Sequence, residues 1–172
     1  MVPLLNVSPE ARYPILGASL QRRGGVARHD AVAWGLARAA DGLGVHIIQN
    51  CEVTGIKREK GRVVGLETSR GHIGARKIGI CVAGHSSQLA AMAGLRLPIE
   101  SHPLQAMVSE PLKPLLDCVV MSNQVHVYVS QSDRGELVMG AGIDRYVGYS
   151  QRGGLAVLSE TVTAALELFP VF

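Results

Sequence analysis

The chain has 172 residues, and 17 Lys plus Arg against 14 Asp plus Glu leave a net charge of +3. That charge is too small and too evenly spread for a nucleic-acid groove, and a 47% hydrophobic, 18% charged composition excludes intrinsic disorder. The longest apolar stretch, Ile78 to Ala83, falls far short of the roughly 20 residues of a membrane span. No basic segment leads into an apolar one near the start, so no secretory signal is expected. The cysteines, Cys51, Cys81 and Cys118, are odd in number and widely spaced in apolar or strand-like contexts. They are expected to be buried free thiols of a reducing, cytoplasmic compartment rather than a disulfide frame.

Residues 1–14 carry prolines and no periodicity, and are expected to form a loop. Ile15 to Gln21 fits a short strand, and Gly24-Gly25 then frees the backbone for positive φ and a close approach. From Asp30 to Leu43, Val32, Ala33, Leu36, Ala39, Ala40 and Leu43 repeat at three and four, which predicts a helix. Asp30 sits where a carboxylate complements the helix dipole, and Gly44 is placed to terminate the helix. Val45 to Gln49 resumes as a predicted strand. A three-stranded meander follows: Val53 to Arg58 and Arg62 to Thr68 meet across Glu59-Lys60-Gly61, and a turn at Ser69-Arg70-Gly71 leads to His72-Ile73. Ile78 to Val82 is continuously apolar, as in a strand buried on both faces. It breaks at Ala83-Gly84 before a helix from Ser86 to Ala93, with Ser86 or His85 near its cap.

Ile99 to Ser109 and Gln124 to Gln131 are predicted extended; in the latter, Val125, Val127 and Val129 alternate with polar positions. Ser132 to Gly135 is a turn, Glu136 to Gly142 the returning strand, and residues 154–169 a last helix. This order predicts an α+β fold with largely antiparallel or mixed sheet and one short α/β piece.

The histidines at 29, 46, 72, 85, 102 and 126 have no zinc-ligand spacing, so no metal site is expected. Gly84-His85-Ser86-Ser87-Gln88 lacks the second glycine of a nucleophile elbow, and its serines fit helix caps better. Neither a G-x-x-x-x-G-K-[ST] loop nor a G-x-G-x-x-G loop is present, so the chain has no complete dinucleotide site of its own. One segment stands out, Arg22-Arg23-Gly24-Gly25-Val26-Ala27-Arg28-His29-Asp30. It offers turn N–H groups, a helix N-terminus and three arginines suited to phosphate. By spacing alone His29 is either an ordinary helix-start residue or an imidazole kept neutral and nucleophilic, able to capture a flavin 8α-methyl group. No residue qualifies as a general base, and the catalytic residues stay unassigned.

Tyr13 to Ala40, Leu43 to Ile56, Lys77 to Ser87 and Leu97 to Gln105 together resemble the beta subunit of heterotetrameric sarcosine oxidase. That family lies within the glycine oxidase and D-amino-acid oxidase superfamily of FAD-dependent oxidoreductases. The likeness is specific at Arg28-His29-Asp30 and generic elsewhere. It implies covalent FMN on His29, with Arg28, Gly24 and Gly25 around it. It also implies that Val53 lies near the FAD adenine and Ala83-Gly84 near the pyrophosphate or ribose. The intact enzyme would oxidise sarcosine at its N-methyl carbon and pass electrons from FAD to FMN to oxygen. The resulting imine would give glycine and formaldehyde, or donate its one-carbon unit to tetrahydrofolate. Other subunits are the implied partners.

The family's amino-terminal glycine loop and its acidic ribose ligand are missing, as is its carboxyl-terminal segment. The chain is therefore expected to be a middle piece, a single partial domain over residues 1–172. About 24–95 would belong to the FAD-binding region, about 97–152 to substrate-domain strands and 153–170 to a helix. Alone it is expected to be inactive and to retain no flavin. The alternatives are a non-catalytic module that homo-oligomerises through uncovered surface, or a piece of a related amino-acid oxidase or dehydrogenase.

Overall fold

The structure, a computed structural model, describes Val2 and residues 4–172. The chain forms two compact units, Met1–Gly24 with His102–Phe172, and Gly25–Ser101. The α+β architecture with antiparallel sheets is as predicted.

The 25–101 unit opens with α1 (His29–Gly42). Gly44 ends it as expected, at φ +87° with its N–H on the Asp41 carbonyl. None of α1 is buried, and the predicted strand at Val45 to Gln49 does not form; the Val45 N–H returns to the Ala40 carbonyl instead. The meander is present: β1 (Val53–Glu59), β2 (Arg62–Thr68) and β3 (Gly71–Gly74) pair antiparallel in that order. Its first turn is Lys60-Gly61, with φ of +47° and +79°, the left-handed pair that lets a two-residue turn follow the twist of its strands. Ile78 to Val82, expected as a doubly buried strand, has no ladder partner among the described residues and runs as irregular chain. A parallel central strand is defined by its neighbours, and apolar composition alone cannot make one. A 3₁₀ turn (Ala83–His85) and α2 (Ser86–Met92) close the unit. α2 packs on β1, where the Arg58 guanidinium donates to the Ala93 carbonyl at the helix end.

The other unit is one sheet and one helix. β4 (Leu104–Pro111), β5 (Val120–Ser122), β6 (Val127–Gln131) and β7 (Glu136–Ile143) lie in the order β4-β7-β6-β5, each pair antiparallel. α3 (Leu155–Leu168) crosses one face. Val127, Val129 and Leu137 from the sheet meet Ala165, Leu168 and Phe169, and Phe169 stacks on Phe172 with centroids 4.8 Å apart. Gly142 is the point of closest approach: a Cβ there would stand 2.3 Å from Val157 Cγ1. Leu4, Leu5 and Ile15 pack against this core, and the Asn6 N–H reaches the Leu168 carbonyl at 2.7 Å. Ile15 to Gln21 is irregular rather than a strand. The short strand β5 was not foreseen, and β6 starts only after a turn with His126 at φ +54°. Cys51 and Cys118 are half-buried and Cys81 is exposed, all free, so the expectation of burial fails for Cys81. No helix among the described residues is long and apolar enough to cross a membrane.

Candidate functional site

Arg28 is the N-cap of α1, in extended conformation and without a side-chain cap bond, and His29 is the first helical residue. Both side chains are exposed, so an imidazole nitrogen is within reach of a ligand. The Asp30 carboxylate accepts from the Ala31 N–H, and together with the Arg28 and His29 charges this holds Asp30 below its ordinary value of 3.8. The helix N-terminus is therefore partly occupied by its own carboxylate. Beside it stands the exposed Arg28 guanidinium, a charged donor suited to phosphate. Gly24 and Gly25 also depart from expectation, since neither has positive φ. Gly24 closes a turn on the Gln21 carbonyl at 3.2 Å and ends one unit, while Gly25 begins the other.

Val53 starts β1, half-buried, opposite Thr68 and next to a register shift. Ala83 stands at φ +45°, a conformation that residues with a Cβ seldom adopt. The Ser86 hydroxyl donates to its carbonyl at 2.7 Å, the Ser101 hydroxyl donates to the Gly84 carbonyl at 2.5 Å, and the Ser87 hydroxyl donates to Ile99. Ser86 and Ser101 thus brace the turn from its carbonyl side, and neither Ser86 nor Ser87 is a side-chain cap of α2. α2 follows directly on the 3₁₀ turn and packs on β1, the strand that Val53 opens. α1, with Arg28 and His29, packs against no other helix or strand among the described residues.

Two features escaped the sequence reading. Asp144 is 7% exposed and its Oδ1 accepts from Gln105 Nε2 at 2.9 Å, while Gln105 Oε1 accepts the Gly154 N–H at 2.9 Å. This clasp ties β4, the end of β7 and the start of α3 behind a cleft of about 390 Å³ lined by Gln105, Met107, Arg152 and Leu155. Asp144 Oδ2 is buried without a partner. The second feature is an open groove of about 520 Å³ along α1, with Trp34, Arg38, Ile48 and Arg70 in its lining. Clasp partners 39 and 49 positions apart leave no local sequence signal.

The chemistry of the first set suits a flavin in part. An exposed imidazole next to a guanidinium can hold a planar anionic group, and the braced turn offers a main chain already bent at Ala83–Gly84. No group of three or more His, Cys, Asp or Glu able to hold a metal occurs among the described residues.

Comparison with known proteins defines the lineage. The chain is 60% identical over 171 residues to sarcosine oxidase subunit beta of Rhodobacter capsulatus, covering 99% of this chain and 41% of that protein. It is 61% identical over 170 residues to the protein of the same name from Rhizobium meliloti, again spanning 41% of it. Glycine oxidase of Pseudomonas putida is 27% identical over 98% of this chain and 48% of its own. Among solved structures, L-proline dehydrogenase from P. horikoshii superposes on 81% of the chain and 38% of its own with a TM-score of 0.74 at 23% identity. Glycine oxidase from Bacillus cereus superposes on the same shares at 0.66 and 19%, and at these identities the likeness is one of fold. The chain thus spans about two fifths of the curated subunits it matches. The pattern of the family described as FAD dependent oxidoreductase covers residues 3–172, and the chain belongs to that family.

Proposed function

We propose that this chain is the middle part of a sarcosine oxidase beta subunit, and that the whole protein oxidises the N-methyl group of sarcosine in company with other subunits in the cytoplasm. The observation that carries the reading is 60% identity across 99% of the chain to a subunit of that name, combined with an exposed His29 at the start of α1. A bound FAD would supply the hydride acceptor for oxidation of the N-methyl carbon, with hydrolysis of the imine giving glycine and formaldehyde. His29 is the residue proposed to carry covalent FMN through a ring nitrogen. Arg28 supplies charge for its phosphate. Gly24 and Gly25 lead the chain into this segment. Val53 is assigned to the adenine side of FAD, and the Ala83–Gly84 turn to the pyrophosphate or ribose.

The test uses the full-length enzyme with its partner subunits. Mass spectrometry of the denatured beta chain should show an added FMN, and His29→Ala should release all FMN on acid precipitation. Flavin that stays bound in that variant overturns the assignment. Arg28→Ala should weaken FMN retention while leaving the attachment site. The isolated 172-residue chain should bind FAD weakly, because it lacks the glycine loop that seats the pyrophosphate; a submicromolar affinity in a fluorescence titration would contradict this.

A further inference from the structure

α1 has two opposed faces. Val32, Leu36, Ala39, Ala40 and Leu43 fall within about 100° of arc, an aliphatic stripe without a charge. Trp34, Ala37, Arg38 and Asp41 lie on the other side, where they border the groove that Ile48 and Arg70 also line. Trp34 is 61% exposed and Ile48 53%. Arg70 Nε donates to the Asn50 carbonyl at 3.1 Å, and neither Arg38 nor Arg70 forms an ion pair among the described residues.

The two faces need different cover. A Val, Leu and Ala stripe has the composition of a domain core, where an arginine would be buried without a partner. The opposite face combines an exposed tryptophan with guanidinium groups, and Trp and Arg are the residues enriched where one protein docks on another. We infer that the Trp34–Arg38–Arg70 groove is a docking surface for a different subunit of the same enzyme. Two guanidiniums against one carboxylate, Asp41, leave the groove positive. The occupant is therefore an acidic segment that places an apolar side chain against the Trp34 ring and carboxylates on the arginines. The inference rests on the reading of the chain as part of a multi-subunit enzyme.

The test is made on the full-length beta chain co-expressed with its partner subunits. With p-benzoylphenylalanine in place of Trp34, irradiation should join this position to an Asp- or Glu-containing peptide of another subunit. Adducts confined to the beta chain itself, or linking two beta chains, overturn the inference. Arg38→Glu with Arg70→Glu should weaken subunit association at least tenfold without lowering the melting temperature of the separated beta chain, whereas Arg38→Lys with Arg70→Lys should largely keep it. A double reversal that leaves association unchanged, or acts only by unfolding the beta chain, also counts against the groove. Native mass spectrometry of the unmodified enzyme separates the two possible failures. A beta chain that works without other subunits refutes the multi-subunit reading, while an intact complex with no intersubunit adduct from position 34 refutes the groove alone.

Discussion

Gln105 has both ends of its amide engaged, donating to Asp144 Oδ1 and accepting from the Gly154 N–H, so its rotamer and the path of three segments are set together. Asp144→Ala should leave the half-buried Gln105 amide without this partner, costing about 1 kcal/mol. Asp144→Asn keeps an acceptor for Gln105 through its amide oxygen, so it should lose less stability in urea than Asp144→Ala. At the other end of β7, the Ser132 hydroxyl hydrogen-bonds the Glu136 carboxylate, and with the Glu136 N–H and Arg134 it holds that carboxyl below its ordinary value of 4.5. A depressed folded value means that the unfolded chain takes up the proton first. The stabilisation is therefore full above about pH 4.5 and is lost as pH falls through the lower folded value. Ser132→Ala should flatten the acid limb of the melting-temperature profile in that window and leave the neutral region little changed.

Among the elements, those built from neighbouring residues were legible in the sequence. The period of α1 and α3, the break at Gly44 and the Lys60-Gly61 hairpin all depend on contacts a few positions apart. Strand composition alone was no guide to pairing: β4, β6 and β7 formed as predicted, while Ile15 to Gln21, Val45 to Gln49 and Ile78 to Val82 have strand composition but no ladder. The three-residue β5 is too short to show a period. At the candidate site, Arg28-His29-Asp30 stood out by residue type, while the Asp144 clasp and the Trp34 groove depend on packing that no short window displays. The seat of α3 on β7 gives a sharp expectation. Ala at position 142 would press on a β-branched valine that has one favoured rotamer in a helix. Gly142→Ala should cost about 1–3 kcal/mol, read as a lowered denaturant midpoint, and a second change, Val157→Ala, should recover part of the loss.

For the molecule as a whole, the accessible surface is 13495 Å² for 18.3 kDa. Area scaling gives about 8,000 Å² for one folded body of this mass and about 10,000 Å² for two. Leu36, at 68% exposed, and Leu43, at 86%, belong to that excess, as do Leu104 and Val108 on the β4 edge strand. Uncovered aliphatic surface and an open sheet edge both favour pairing with another chain. The isolated chain should therefore run as a dimer or larger species at micromolar concentration in size exclusion with light scattering. A monodisperse monomer throughout that range would overturn the expectation.

The interleaving of the two units, with Gly25–Ser101 set between the two stretches of the other, also bears on how the protein is made. During vectorial synthesis the inner unit has all its residues once Ser101 has left the ribosome. The outer unit cannot close until α3 emerges, because Asn6 hydrogen-bonds to Leu168, near the other end of the sequence. The earlier stretch of the outer unit, up to Gly24, therefore waits without its partners while some 140 more residues are added, a delay of about 10–30 s at ordinary elongation rates. Over that interval Leu4, Leu5 and Ile15 have no core to enter, and they mark a stretch that a chaperone would have to shield.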